Sequence, residues 1–164
     1  QNFIDGEVEN VSATENDIVD HLSTIFTENR LKKYIEIRSM DACGWDCLCA
    51  GPAFFIGLLY GNLDAVFDVV KRWNIKDIIA CYKDSPKKGL KTILGSKSVL
   101  DWSKDLFKIS KDGLENRNEL NSKKQNEVKF LNHIKNIIDT SNTNAEEIMT
   151  KYQKDKNFFN NNEK

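Results

Sequence analysis

The chain has 164 residues, 40% of them hydrophobic, with 24 basic against 25 acidic side chains and a formal net charge of -1. That length allows one domain with a real core and is short for two. The balanced charge gives no long-range field for nucleic acid, and no apolar run approaches the roughly 20 residues that span a bilayer. The expected partner is therefore a small ligand or another protein, with no nucleic acid and no membrane, and the expected compartment is cytoplasmic because nothing resembles a signal peptide.

The chain opens on Gln1, with the apolar pair Phe3 and Ile4 lacking any element behind it, and reads as a piece of a longer protein. Abundant Asn, Lys and Ile fit an AT-rich genome and point to a bacterium with a reduced genome. Thr14, followed by acidic residues and by Ile18, Leu22, Ile25 and Phe26 at helical spacing, predicts a helix over about 14–26. A strand is expected next, over about 31–40. There Leu31, Ile35 and Ile37 share one parity, while Arg30, Lys32, Tyr34, Glu36, Arg38 and Met40 share the other. A charged face of this kind either meets water or lines a cavity for an anion.

The turn "DACGWDC" around Gly44 leads into an apolar helix over about 46–60, with Pro52 in its first turns and Gly61 placed to end it. Leu63, Val66, Phe67 and Val70 mark a helix ending near Trp73, and 75–82 reads as a further short one. "KDSPKKGLKTILGSK", with Pro86, Gly89 and Gly95, is expected to be a loop whose "LKTIL" forms a brief extended piece. Ser98 opens a helix carrying Val99, Trp102, Leu106 and Ile109. Val128, Leu131, Ile134 and Ile138 mark another long helix, and Thr143 with Glu146 is a capping box for a last one through about Lys154. The tail "NFFNNNEK" is polar and expected to fray.

The fold class is thus α+β and predominantly helical, with about seven helices and one convincing strand. A single strand cannot satisfy its own backbone hydrogen bonds, so the rest of its sheet must come from elsewhere. Of four cysteines, Cys43, Cys47 and Cys49 crowd into one short stretch, a poor arrangement for bracing a fold, so Cys43, Cys47, Cys49 and Cys81 are expected as reduced thiols. The spacing C-x3-C-x-C fails the usual zinc pattern, and no metal ligand set is expected. His21 lies beside the apolar stripe of its helix and His133 on the polar face of its own.

From His21 to Tyr60 the text "HLSTIF", "NRLKKYIEIRSMD" and "CAGPAFFIGLLYG" resembles, without a gap, the C-terminal part of the plant and proteobacterial type of glutamate-cysteine ligase. "FIDG", "KKGLKT", "DLFKISKDGLENR", "FLNHI" and "NAEEIMTKY" follow in the family's order, so the resemblance reaches Tyr152. It implies that 1–164 is the C-terminal segment of a single ligase catalytic domain: 1–12 a lead-in, 13–61 the motif-bearing helix, strand and helix, 62–154 a helical buttress, and 155–164 the polar tail. The strand would belong to an antiparallel active-site sheet whose other strands are mostly missing.

The implied chemistry is ATP-dependent formation of γ-glutamylcysteine through a γ-glutamyl phosphate, the first step of glutathione synthesis. L-glutamate, L-cysteine and ATP are the implied ligands, Mg²⁺ the implied cofactor, and the missing N-terminal part of the ligase the implied partner. Arg30, Glu36, Arg38, Asp41, Trp45 and Tyr60 are the implied substrate-binding residues, with no catalytic residue assigned: Arg38 for a substrate carboxylate or acyl-phosphate oxygen, Arg30 for phosphate or the entry to the strand, and Glu36 to orient an arginine, meet the glutamate ammonium or approach a metal. An arginine fork suits a carboxylate or phosphate oxygen pair. On one regular strand Arg30 and Arg38 would stand up to roughly 26 Å apart and could not clamp one group together. Each residue also has a plainer reading: a solvated face for the charged three, a turn opener for Asp41, a core cap for Trp45, a helix end for Tyr60.

The family's glycine-rich turn after the aspartate is here Ala42, Cys43 and Gly44, followed by Asp46 and Cys47 at commonly polar or basic positions. No phosphate cradle of P-loop type is present. Two rival expectations stand beside the ligase: a catalytically inactive helical interaction module left from a split or decayed ligase gene, and a generic helical adaptor.

Overall fold

The computed structural model describes every residue except 1, 2, 4, 42, 46, 157 and 159–164. Ile4, the turn residues Ala42 and Asp46, and the tail after Phe158 therefore lie outside the described residues. The chain divides into two compact units, Gln1–Ala42 and Cys43–Lys164. Among the described residues there are seven α-helices and two short antiparallel strand pairs, so the predominantly helical α+β class holds.

The first unit carries α1 (Glu15–Ser23), β1 (Asn29–Leu31) and β2 (Ile35–Ile37). Thr14 starts α1 with a capping box. Its hydroxyl accepts from the Asp17 N–H at 3.3 Å, while its own N–H donates to Asp17 Oδ2 at 2.8 Å. The Thr14 hydroxyl also donates to Asp17 Oδ2 at 2.6 Å, and this bond first, then that from the Thr14 N–H, favours the ionised Asp17 and lowers its pKa. The continuous strand expected over 31–40 is instead a hairpin. Lys32, Lys33 and Tyr34 form the turn, the Lys32 N–H bonds to the Tyr34 carbonyl at 2.8 Å, and β1 pairs with β2. The two strands satisfy part of each other's backbone, which periodicity alone could not show because the alternation runs unbroken through the turn.

The second unit contains α2 (Ala50–Ile56), continued by a π-helical turn at Gly57–Gly61, then α3 (Leu63–Val70), α4 (Ile75–Lys88), β3 (Ile93–Leu94), β4 (Lys97–Ser98), α5 (Val99–Arg117), α6 (Asn132–Thr140) and α7 (Asn144–Lys154). The α2 stretch and α3 meet at a bend of 95°. Among the described residues, no single helix is long and apolar enough to cross a membrane. Ala53, Leu114 and Leu131 form the core, covered by Phe54, Ile56, Phe107 and Val128.

The π-helical turn lies directly against α5, and glycines make this possible. A Cβ on Gly57 would stand 2.2 Å from the Ser110 carbonyl oxygen, and one on Gly113 would stand 2.1 Å from the Gly57 carbonyl oxygen. Backbone thus meets backbone, and the buried Ser110 hydroxyl donates to the Phe54 carbonyl at 2.8 Å. Trp73 packs edge-on against Trp102, whose indole N–H donates to the Leu94 carbonyl at 2.9 Å.

Several local expectations change. The expected loop from Lys83 is helical as far as Lys88, with Pro86 inside α4. Proline has no N–H for the Tyr82 carbonyl, and the Ser85 hydroxyl donates to that oxygen at 3.3 Å instead. Gly89, at φ +53°, then stops the helix. "LKTIL" does supply β3, and Ser98 caps α5. The helix expected around Val128 opens with a 3-10 segment, Glu127–Leu131, before α6 begins. Thr143 and Glu146 form the expected capping box on α7. His133, expected on a polar face, is half-buried because α6 packs that side inward, and its Nε2 has no hydrogen-bond partner among the described residues.

Candidate anion site on the hairpin

Pairing sets Arg30 directly opposite Glu36, with Leu31 opposite Ile35 and Asn29 opposite Ile37. Arg38 follows Glu36 by two residues and so projects from the same face. The fold-back changes the arithmetic of a single strand: Arg30 and Arg38 both reach one carboxylate. Arg30 Nε donates to Glu36 Oε2 at 2.7 Å, and Arg38 Nη1 lies 3.5 Å from Glu36 Oε1.

The two arginines are held differently. Arg30 also donates from Nη1 to the Ser23 carbonyl at 3.0 Å, at the last residue of α1, and its side chain is only 16% exposed. Both hydrogen bonds have good geometry. The Arg38 guanidinium carbon stands 4.9 Å from the Phe26 ring centroid, a cation–π contact. Its ion pair at 3.5 Å is too long for a firm hydrogen bond, and its side chain is 29% exposed. The Arg38 backbone N–H is anchored to the Glu28 carbonyl at 2.9 Å.

Glu36 is kept ionised. Its pKa is lowered, first by the hydrogen bond from Arg30, and further by the charges of Arg30, Lys32 and Arg38. An open groove of about 550 Å³ is walled by Val19, Leu22, Ile25 and Leu31 and edged by Arg30 and Lys32, while Glu36 and Arg38 are not among its lining residues. A guanidinium with donors to spare, as at Arg38, suits a carboxylate or phosphate oxygen.

Asp41 lies exposed in the same unit, three residues past Arg38. Trp45 and Tyr60 belong to the second unit. Trp45 is 89% exposed, which does not fit a core cap among the described residues of its unit, and Tyr60 is 77% exposed on the π-helical turn. Phe26 and the Ser23 carbonyl were missed by sequence reasoning. Phe26 reads as the last apolar position of a helix, and nothing in one dimension says that the hairpin will place Arg38 over its ring.

The expectation of four reduced thiols is also corrected. The turn at Gly44, closed by the Cys47 N–H to the Gly44 carbonyl at 3.1 Å, brings the Cα atoms of Cys43 and Cys47 to 6.1 Å, and the two form a disulfide. That separation is within disulfide reach. Cys49 is exposed and free, and burial pushes the thiol of Cys81 up, with Asp84 adding to the shift.

The hairpin with its Arg, Glu and Arg, and the apolar helix that follows it, lie in one continuous match to a family model. Residues 4–161 match glutamate-cysteine ligase family 2 (GCS2). The chain belongs to that family. It is 38% identical over 141 residues to the chloroplastic glutamate-cysteine ligase of Solanum lycopersicum, which is 85% of this chain and 26% of that protein. To the chloroplastic enzyme of Nicotiana tabacum it is 34% identical over 157 residues, 93% of this chain and 29% of that protein. The chloroplastic enzyme of Arabidopsis thaliana gives 37% over 139 residues, 84% and 26%. The chain therefore spans little more than a quarter of the length of these curated relatives.

Proposed function

We propose that this chain is the C-terminal part of an ATP-dependent glutamate-cysteine ligase, and that Arg38 binds a substrate oxyanion there. In that reaction the γ-carboxylate of glutamate takes a phosphoryl group from ATP, releasing ADP. The amine of cysteine then attacks the acyl phosphate, forming the amide of γ-glutamylcysteine and expelling phosphate, which places the enzyme at the start of glutathione synthesis. Family membership supports the reaction class. The observation that carries the role of Arg38 is its half-used guanidinium, loosely paired at 3.5 Å beside an ion pair of 2.7 Å.

What these residues can do is neutralise and orient an anion. A guanidinium fixed over an aromatic face costs little reorganisation when a carboxylate or phosphoryl oxygen arrives. Among the described residues no group of three or more His, Cys, Asp or Glu side chains gathers as a metal site. Binding of ATP and Mg²⁺ falls, on this proposal, to the part of the ligase outside this segment. Asp41, Trp45 and Tyr60 remain proposed contacts to glutamate or cysteine on the family pattern.

In the complete ligase carrying this segment, Arg38→Met should cost about ten- to a hundredfold in glutamate KM or turnover, the loss of one charge-assisted hydrogen bond. Arg38→Lys keeps the charge without the fork and should fall between wild type and Arg38→Met. A thermal melt run beside the steady-state kinetics separates binding from folding. Unchanged kinetics in Arg38→Met would return the hairpin to an ordinary solvated surface. The inactive-module reading draws on one feature, the bridged Cys43–Cys47 turn where the family pattern is glycine-rich. An open reading frame encoding the rest of a ligase immediately upstream would exclude it, and an unrelated gene there would favour it.

A further inference from the structure

The unequal ion pairs on the hairpin assign different work to three residues that the sequence places on one charged face. We infer that Glu36 is a positioning residue that presents Arg38 to an incoming carboxylate or phosphate, and that Arg30 is the strut that holds Glu36 in place. The inference rests on the proposed role of Arg38 as the oxyanion ligand, and it removes Arg30 from the ligand set.

The argument is one of donors and acceptors. Arg30 spends Nε on Glu36 Oε2 at 2.7 Å and one Nη1 hydrogen on the Ser23 carbonyl at 3.0 Å, which ties its guanidinium to both α1 and the hairpin and leaves its side chain the less exposed of the two arginines, 16% against 29%. Those tethers fix the Glu36 carboxylate in rotation, because one oxygen is committed to Arg30 and the other, Oε1, is left facing Arg38 Nη1 at 3.5 Å. At that distance the pair supplies direction without saturating the guanidinium, whose remaining N–H groups stay available for a bidentate partner. Phe26 supports the same guanidinium from its face, with the ring centroid 4.9 Å away. Two constraints from different directions leave Arg38 one preferred pose, which reduces the ordering cost of binding.

A second possibility for Glu36 is that it competes with the incoming anion for Arg38. The geometry disfavours it. A carboxylate competing well would sit at full hydrogen-bond distance, whereas the full-strength contact of Glu36 is with Arg30.

The test is a double-mutant cycle on the complete ligase carrying this segment, reading glutamate KM and kcat separately. Glu36→Gln keeps the shape and one acceptor but loses the charge, and should raise KM about three- to tenfold with kcat little changed. Arg30→Lys, which loosens Glu36 indirectly, should raise KM in the same direction by less, and it keeps the proposal testable if Glu36→Gln folds poorly. In an Arg38→Met background, Glu36→Gln should add nothing, since it acts only through Arg38. A fall in KM for Glu36→Gln identifies it as a competitor and overturns the inference. So does full additivity with Arg38→Met, or a lowered melting temperature with KM unchanged. If Arg38→Met leaves both KM and kcat unaltered, the functional reading fails; if Arg38→Met is impaired while Glu36→Gln and Arg30→Lys match wild type, the positioning role alone fails.

Discussion

The two units stabilise themselves by different means. No described residue of 1–42 is buried, and the order of α1 and the hairpin comes from a capping box, strand pairing and the ion pairs of Glu36. In 43–164, by contrast, Leu114 is fully buried and α5 meets the π-helical turn backbone to backbone. Polar devices of the first kind are individually weak and sensitive to solvent conditions. Burial of the second kind is cooperative and insensitive to pH. The difference teaches that the charged hairpin, where the proposed chemistry lies, is the part of the chain with no core of its own.

The strongest way to sharpen that contrast is Gly113→Ala. Its Cβ would lie 2.1 Å from a backbone oxygen, so the helices themselves must separate, and the loss should exceed about 3 kcal/mol, the upper end of ordinary overpacking. Denaturant unfolding followed by tryptophan fluorescence reports it, since Trp73 and Trp102 both lie in this unit. A wild-type midpoint would show that the close contact is not maintained. Next comes Leu114→Ala, expected to cost about 2 to 5 kcal/mol by the same measurement because no exposed surface cushions the cavity.

Acid should act in the opposite sense, loosening 1–42 first. Asp17 and Glu36 both have folded pKa values below their unfolded ones. The stability they supply is complete above the unfolded values of roughly 4 and is lost as pH falls through the folded values. Residue-resolved amide signals followed from pH 7 to 2 should show α1 and the hairpin broadening before α5 shifts. Loss of both together would contradict independent stabilisation.

The smallest expected effect is Thr14→Ala, about 1 kcal/mol confined to the helix of Glu15–Ser23. Its counterpart Thr143→Ala removes the same box from α7, in the unit that has a core. Circular dichroism should show reduced helicity for Thr14→Ala with an unchanged main melting transition, and a lowered transition for Thr143→Ala. Equal shifts in melting temperature would mean that 1–42 unfolds together with the rest.

Much of the fold was legible in one dimension because its signals are local. Thr14 with Asp17 and Thr143 with Glu146 start helices wherever they stand, Ser98 caps α5, and apolar spacing of three and four residues marked α1, α3, α5 and α6. The residues Arg30, Glu36 and Arg38 were legible as one charged face because strand parity survives the hairpin turn. What only the tertiary structure decided was which of them meet. A turn at 32–34 folds the alternating segment on itself, sets Arg30 opposite Glu36, and lays Arg38 over Phe26, none of which parity can report. Pro86 reads as a breaker, yet the helix passes it because Ser85 supplies the hydrogen bond that proline cannot. Gly57 and Gly113 read as weak helix positions, yet only the approach of two backbones 56 residues apart in sequence, marked by the Ser110 bond to Phe54, shows why a side chain has no room there. Local chemistry determines where elements begin and which faces they carry; contacts between distant residues, which no short window contains, determine what those faces do.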